Sequence, residues 1–141
     1  MASGTPNLLS ALLTGDIWKD ALVKAVNYLL TVEDWHYIGD DGEPAFNNNW
    51  VNRGNEPAAY YKDPFGRVHL KGNLEGSASN NTIAFTLPEG YRPDNKQEFA
   101  TVVTTTDAHN TVTVQADGDV IIYGGSTNGA HLDGVSFRAA T

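Results

Sequence analysis

Two periodicities divide the chain. In "TGDIWKDALVKAVNYLLTVEDW" the apolar positions Trp18, Leu22, Ala25, Val26 and Leu29 recur at three- and four-residue spacing, which predicts a helix over residues 16–31. Asp16 and Asp20 lie near its start, where carboxylates favour the helix dipole, and Gly15 separates it from an earlier apolar turn around Leu8, Leu9, Leu12 and Leu13. Beyond residue 44 the pattern changes to short β-type runs between strong turn signals: "AFNNNWVN", "AAYYK", "RVHLKGNL", "TIAFTL", "EFATVVTT", "TVTVQA", "DVIIY" and "HLDGVSFRA". The acidic stretch "EDWHYIGDDGEPAF" carries Asp-Gly and Glu-Pro pairs and reads as the connection. These observations place a helical stem at 1–34 and a mainly β, antiparallel sandwich or barrel at 35–141.

Two hairpins stand out. In "TVTVQADGDVIIY" the Asp117-Gly118 pair suits a two-residue primed turn, which sets Val114 opposite Ile121 and Val112 opposite Tyr123 and assigns all four to the core. In "AAYYKDPFGRVHLKG" the Asp63-Pro64-Phe65-Gly66 run matches a type I turn. With Lys62 facing Arg67, the inner face carries Ala59, Tyr61, Val68 and Leu70, and the outer face carries Tyr60, Lys62, Arg67, His69 and Lys71. A three-residue loop with a glycine bulge is the alternative; it is disfavoured because it sets Lys62 beside Val68 on the buried face. The basic and aromatic stripe has two readings, contact with acids of a neighbouring copy of the chain or contact with a ligand.

Composition narrows the classes. The 141 residues fit one domain, and nine basic against seventeen acidic residues give a net charge of -8, the wrong sign for a protein that neutralises phosphates of nucleic acid. No apolar run is long enough to insert in a membrane. Without cysteine there is no disulfide, thiolate nucleophile or Cys-type zinc site. His36, His69, His109 and His131 never adopt the spacing of a zinc protease, and "DDGE" and "DGD" do not extend into a calcium loop. A histidine from each of several subunits around a shared axis is the one metal arrangement left open, and no metal or cofactor is expected. Gly-x-Ser-x-Gly is absent, and the glycine-rich "YGGSTNGAH" lacks a phosphate-loop ending, so it reads as a flexible loop. The chain is expected to be a binder and not an enzyme.

Four segments, "AFNNNWVNRG", "YYKDPFGRVHLKG", "FTLPEGYRPDNKQEFA" and "LDGVSFRA", resemble in this order the C-terminal head domain of tailed-bacteriophage tail fibres and related minor tail proteins. The likeness spans residues 44–139. It implies a jelly-roll-like β-sandwich head with an N-terminal helix, assembled as a homotrimer at the distal end of a tail fibre in the virion, made in the host cytoplasm. Its partners would be a bacterial surface receptor and an upstream fibre or baseplate protein. On that resemblance Trp18, Leu22, Ala25 and Leu29 form a trimeric stem. Asp63, Pro64, Phe65, Gly66, Leu87, Pro88, Gly90, Tyr91 and Pro93 are then structural.

Receptor contact is expected from side chains outside that shared framework. Asp107, His109, Asn110, Asn128 and His131 lie in "TTTDAHNT" and "GGSTNGAHLD" and supply donors and acceptors suited to sugar hydroxyls. His69 joins them, and Tyr60 or Trp50 offers a ring for a sugar to stack on, although a tryptophan inside a strand is more often core. The expected ligand is a bacterial surface glycan held through several weak sites. A small glycan-degrading enzyme and a purely structural fibre-capping knob are the rival readings.

Overall fold

The computed structural model describes residues 17–76 and 79–141. The chain forms two compact units that divide between Val32 and Glu33. In the first, helix α1 (Ile17–Leu30) matches the expected helix, with Asp20 in its first turn. Its end is closed by Thr31, whose hydroxyl donates to the Asn27 carbonyl at 2.5 Å. The apolar turn around Leu8 to Leu13, Gly15 and Asp16 lie outside the described residues, as does the side chain of Trp18. Leu22 and Ala25 are half-buried, whereas Leu29 is 58% exposed. No helix among the described residues is long and apolar enough to cross a membrane.

The second unit is mainly β and pairs antiparallel throughout its described strands. One sheet orders β1 (His36–Tyr37), β3 (Ala59–Lys62), β4 (Arg67–Lys71) and β11 (Ser136–Arg138). A second orders β6 (Thr82–Thr86), β9 (Asp119–Tyr123), β8 (His109–Val114) and β7 (Gln97–Val102). A short third sheet joins β10 (Asn128–His131), β5 (Asn73–Glu75) and β2 (Val51–Asn52). One apolar core joins their inner faces: Tyr60, Val68, Leu70 and Phe137 meet Phe85, Val112, Val120 and Ile122, with Trp50 and Leu74 beside them. Alternation explains β4, where buried Val68 and Leu70 are flanked by outward Arg67, His69 and Lys71. Trp50 is core, and its indole N–H donates to Thr82 Oγ1 at 2.9 Å.

Both expected hairpin registers are corrected by one residue, for one reason. The Gly66 N–H donates to the Asp63 carbonyl at 3.0 Å and the Asp63 N–H to the Arg67 carbonyl at 2.8 Å. The Gly118 N–H donates to the Gln115 carbonyl at 2.9 Å and the Gln115 N–H to the Asp119 carbonyl at 2.9 Å. Each loop is thus a type I turn closed by a glycine bulge, with φ of 84° at Gly66 and 96° at Gly118. Tyr60 therefore pairs with Leu70, Tyr61 with His69 and Lys62 with Val68. Val112 pairs with Ile122 and Val114 with Val120, so Tyr123 turns outward and is not core. The charge of Lys62 escapes the inner face at its rim, where Nζ donates to the Gly90 carbonyl at 2.9 Å and stands over the Tyr91 ring.

Two strands lie where the sequence reads as connection. β1 comes from the acidic 33–46 stretch, and β10 lies within the glycine-rich segment expected to be a flexible loop. The run "RVHLKGNL" is divided at Gly72 into β4 and β5, which belong to different sheets.

Candidate functional site: an aromatic and basic sheet face

The register fixes what β3 and β4 present outward. Tyr61, not Tyr60, stands beside His69, their rings stacked at 4.9 Å and 15°. Trp35, just before β1, packs edge-on against Tyr61 at 4.6 Å. Lys71 Nζ lies 4.5 Å from the Trp35 ring centre and 4.9 Å from that of Tyr37, and donates to the Tyr37 hydroxyl at 3.3 Å. Along the same face Arg67 and Arg138 are directly paired across β4 and β11. Like charges in that position repel, and Arg67 is steadied by donating to Ser136 O at 3.1 Å and Oγ at 3.0 Å. Two shallow depressions of about 310 and 350 Å³ adjoin these arginines, one beside Lys62 and Phe65, the other beside Asp94 and Ser136.

Asp63 anchors the loop to this face. Its Oδ2 lies 2.8 Å from His69 Nε2, and its Oδ1 accepts from the Phe65 and Arg67 N–H groups at 2.9 and 3.0 Å. Burial pushes its carboxyl pKa up, but the hydrogen bonds from His69 and the two amides outweigh it and hold the acid below its ordinary range.

Tyr60 sits elsewhere: it is 2% exposed, and its hydroxyl donates to Glu43 Oε2 at 2.6 Å. It is no platform for a ligand in this arrangement, because the register turns it inward. It belongs to a network that sequence reasoning missed. His36 stacks on Tyr60 at 5.0 Å with Nδ1 2.7 Å from Glu43 Oε1, and Tyr91 packs edge-on against both rings. The Tyr91 hydroxyl donates to Glu33 Oε2 at 3.0 Å, while Glu33 Oε1 accepts the Lys62 N–H at 2.6 Å. Burial and the Glu43 carboxylate push the Tyr60 phenol far up, and burial with Glu33 pushes that of Tyr91 up to about 12. Glu43 is raised by burial yet held below its usual value overall by Tyr60 and His36. The available signal was five acids and a histidine in a stretch without Lys or Arg, which reads as a connection.

The remaining expected contacts gather around β10. Asp107 and His109 are exposed at and after the β7–β8 turn, and that turn touches β10 through Thr105 Oγ1, which donates to the Asn128 carbonyl at 3.2 Å. Asn128 is exposed, its Oδ1 accepting from Arg53 Nε at 3.0 Å. Asn110 is a correction: it is fully buried, and its amide clips Ser126 through both N–H and carbonyl at 2.9 and 3.2 Å. His131 is half-buried between Thr104 and Asp133. His69 thus belongs to a different sheet from the Asp107, His109, Asn128 and His131 group. Among the described residues Glu56, His131 and Asp133 bring three metal-capable atoms within 4.8 Å of one another.

No family model matches the chain, and no curated protein matches it. In solved structures its fold is similar to that of the receptor binding protein (gp15) of Listeria phage PSA, with a TM-score of 0.73 and 19% identity over 96% of this chain and 81% of that one. The β-rich architecture expected from the sequence is therefore a fold that this chain shares with that protein.

Proposed function

We propose that this chain is the receptor-binding head of a phage tail, sited at the distal end of a tail fibre and joined to an upstream fibre or baseplate protein. It binds a bacterial surface glycan without turning it over. The observation that carries this reading is the outer face of β1, β3, β4 and β11, where Trp35, Tyr61, His69 and Lys71 concentrate rings and cations on a chain of net charge -8. Aromatic rings offer stacking surface to sugars, and the neighbouring cations suit polar or anionic substituents. The Asp107, His109, Asn128 and His131 edge is a second contact region on the same head. Support for the setting comes from the fold shared with a protein that is itself a phage receptor-binding protein.

Three copies assemble through α1, whose Leu22, Ala25 and Leu29 stripe, continued by Trp18, is covered by the same stripe of its neighbours. The exposure of Leu29, Val26 and Leu30 in the single chain supports this. Trimerisation then does part of the binding: a millimolar site is worth about 4 kcal/mol, and linking sites multiplies affinity by roughly 10² or more.

The test is retention of the full chain on purified cell walls from a panel of bacteria that includes Listeria, before and after acid extraction of wall glycopolymers, with light scattering for mass. Retention that disappears on extraction, with a trimeric mass, is the expected result. Equal retention on extracted walls removes the glycan reading, release of reducing sugars makes the chain an enzyme, and a monomeric mass removes the avidity argument.

A further inference from the structure

The chemistry around His131 goes beyond receptor contact. Its Nδ1 lies 3.2 Å from Asp133 Oδ2 and 3.7 Å from Glu56 Oε2. Three donors at about 2.0–2.2 Å from one ion are separated from each other by roughly 3–3.6 Å, so the observed spacing needs only small side-chain rotations to close on a metal.

The opposite edge of the ring is held as a metal-binding imidazole is held. Nε2 lies 2.8 Å from Thr104 Oγ1, and the Thr104 hydroxyl has its own acceptor in the Gly129 carbonyl at 3.5 Å. Oγ1 is then free to accept from Nε2–H, which leaves the lone pair on Nδ1, facing the two carboxylates. The amide of Asn73 meets the same Thr104 hydroxyl. Asn73 is 1% exposed; its Nδ2 donates to Thr104 Oγ1 at 2.9 Å and lies 3.2 Å from Nε2, while its Oδ1 has no hydrogen-bond partner. With the Thr104 hydroxyl turned to the Gly129 carbonyl, the two lone pairs of Oγ1 accept one hydrogen from Asn73 Nδ2 and one from Nε2. The carboxylate of Asp133 is oriented as well, its Oδ1 accepting the Gly72 N–H at 3.3 Å.

The backbone has been shaped to bring these groups together. At Gly72, φ is 115° and a Cβ would lie 2.5 Å from Ala58 Cα, so glycine is what lets the 56–58 segment, and with it Glu56, press against the start of β5. The Asn73 N–H donates to the Glu56 carbonyl at 2.9 Å across that contact. At Gly129, φ is 98° and a Cβ would lie 2.8 Å from Thr104 Cβ, so glycine is also what admits Thr104 to the imidazole.

We propose that Glu56, His131 and Asp133 bind one divalent transition-metal ion of the zinc type, with water completing its coordination on the exposed side. One imidazole and two carboxylates suit Zn²⁺ better than Ca²⁺ or Mg²⁺, which prefer all-oxygen shells. The ion ties three chain segments together: the approach to β3, the end of β10 and, through Thr104, the β7–β8 turn. It thereby fixes the turn that carries Asp107 and His109.

The experiment is calorimetric titration of the EDTA-treated, dialysed full chain with ZnCl2, with CaCl2 and MgCl2 in parallel. One Zn²⁺ per chain with micromolar or tighter affinity is expected, with no comparable binding of the other two ions. His131→Gln removes the site, and Asp133→Asn and Glu56→Gln each weaken it at least about tenfold, one imidazole or carboxylate ligand fewer being the cause. Should His131→Gln fail to fold, the two carboxylate variants decide, since both side chains are more than half exposed and each substitution keeps the shape of the residue. Absence of Zn²⁺ binding up to about 1 mM, which is worth no more than about 4 kcal/mol, overturns the proposal. So does Zn²⁺ binding that all three variants retain, because the ion is then held by other histidines.

Discussion

The two four-stranded sheets share one core and differ in what they turn outward. On the β1–β3–β4–β11 sheet the outer positions hold Trp35, Tyr37, Tyr61, His69 and Lys71, joined by ring contacts and hydrogen bonds. On the β6–β9–β8–β7 sheet the pairs Thr111 with Tyr123, Thr113 with Ile121 and Ala100 with Thr111 line the outer face, and Val102 beside them is 64% exposed. That second face is mainly threonine and aliphatic, with Glu98 opposite Thr113 and His109 opposite Val102, and Thr113 Oγ1 is buried there without a partner. Both faces rest on similar hairpin turns and comparable alternation. The difference therefore lies in side-chain chemistry: one face is built of rings and cations, the other mainly of threonine and aliphatic side chains.

The largest effect tests whether the core is indeed shared. Phe137→Ala, under β4 and β11, and Phe85→Ala, under β6 and β9, should each cost about 3–5 kcal/mol in urea unfolding. A loss confined to one of them would mean that the sheets are stabilised separately. Next comes the contrast in recognition. Tyr61→Ala combined with Lys71→Ala should weaken cell-wall retention at least thirtyfold, about 2 kcal/mol, whereas Val102→Ser combined with Tyr123→Ser should leave it within about twofold. Equal losses would erase the distinction between the faces.

A smaller difference separates the two turns. A Cβ at Gly66 meets nothing within 4 Å, so Gly66→Ala should cost only the positive-φ strain, about 1 kcal/mol. A Cβ at Gly118 would lie 2.5 Å from the Leu87 carbonyl oxygen and 2.7 Å from Arg92 Nε, so Gly118→Ala should cost about 1 kcal/mol more in the same denaturation assay. Smallest is an acid effect on the aromatic side. The Asp63 pKa is lower in the folded chain than its ordinary 3.8, so its stabilising contribution is present above that value and is lost as pH falls through the depressed one. The stability gap between the parent chain and Asp63→Asn should accordingly be largest near neutrality and shrink below pH 3.8. A gap independent of pH would mean that the charge on Asp63 contributes nothing.

The alternation of apolar residues was enough to place α1 and most strands, because period and turn residues are local. Register was not, because both loops add a residue through a glycine bulge, and a slip of one residue turns every side chain over. That slip exchanged Tyr60 for Tyr61 and put Tyr123 in the core. Asp-Gly alone does not separate a two-residue turn from a bulged one, but Pro64 followed two residues later by Gly66 favours the type I turn with its bulge. Of the site, His69, Arg67 and Lys71 were legible from alternation on β4. Trp35 and Tyr37 were hidden, because their place on the face depends on β1 pairing with β3, a contact 24 residues distant at His36 and Tyr60. The His36, Glu43, Tyr60 and Tyr91 network escaped for the same reason.

Glu33 opens the β unit with both carboxylate oxygens engaged, one by the backbone of Lys62 and one by the hydroxyl of Tyr91. A pull on the chain at that point is shared at once between β3 and the turn preceding β7. Three residues later β1 pairs with β3, the strand that carries Tyr61. Tension entering at Glu33 therefore has a short mechanical route to the aromatic face, through a carboxylate clamp and a strand pair that must break before the loops beyond them are loaded.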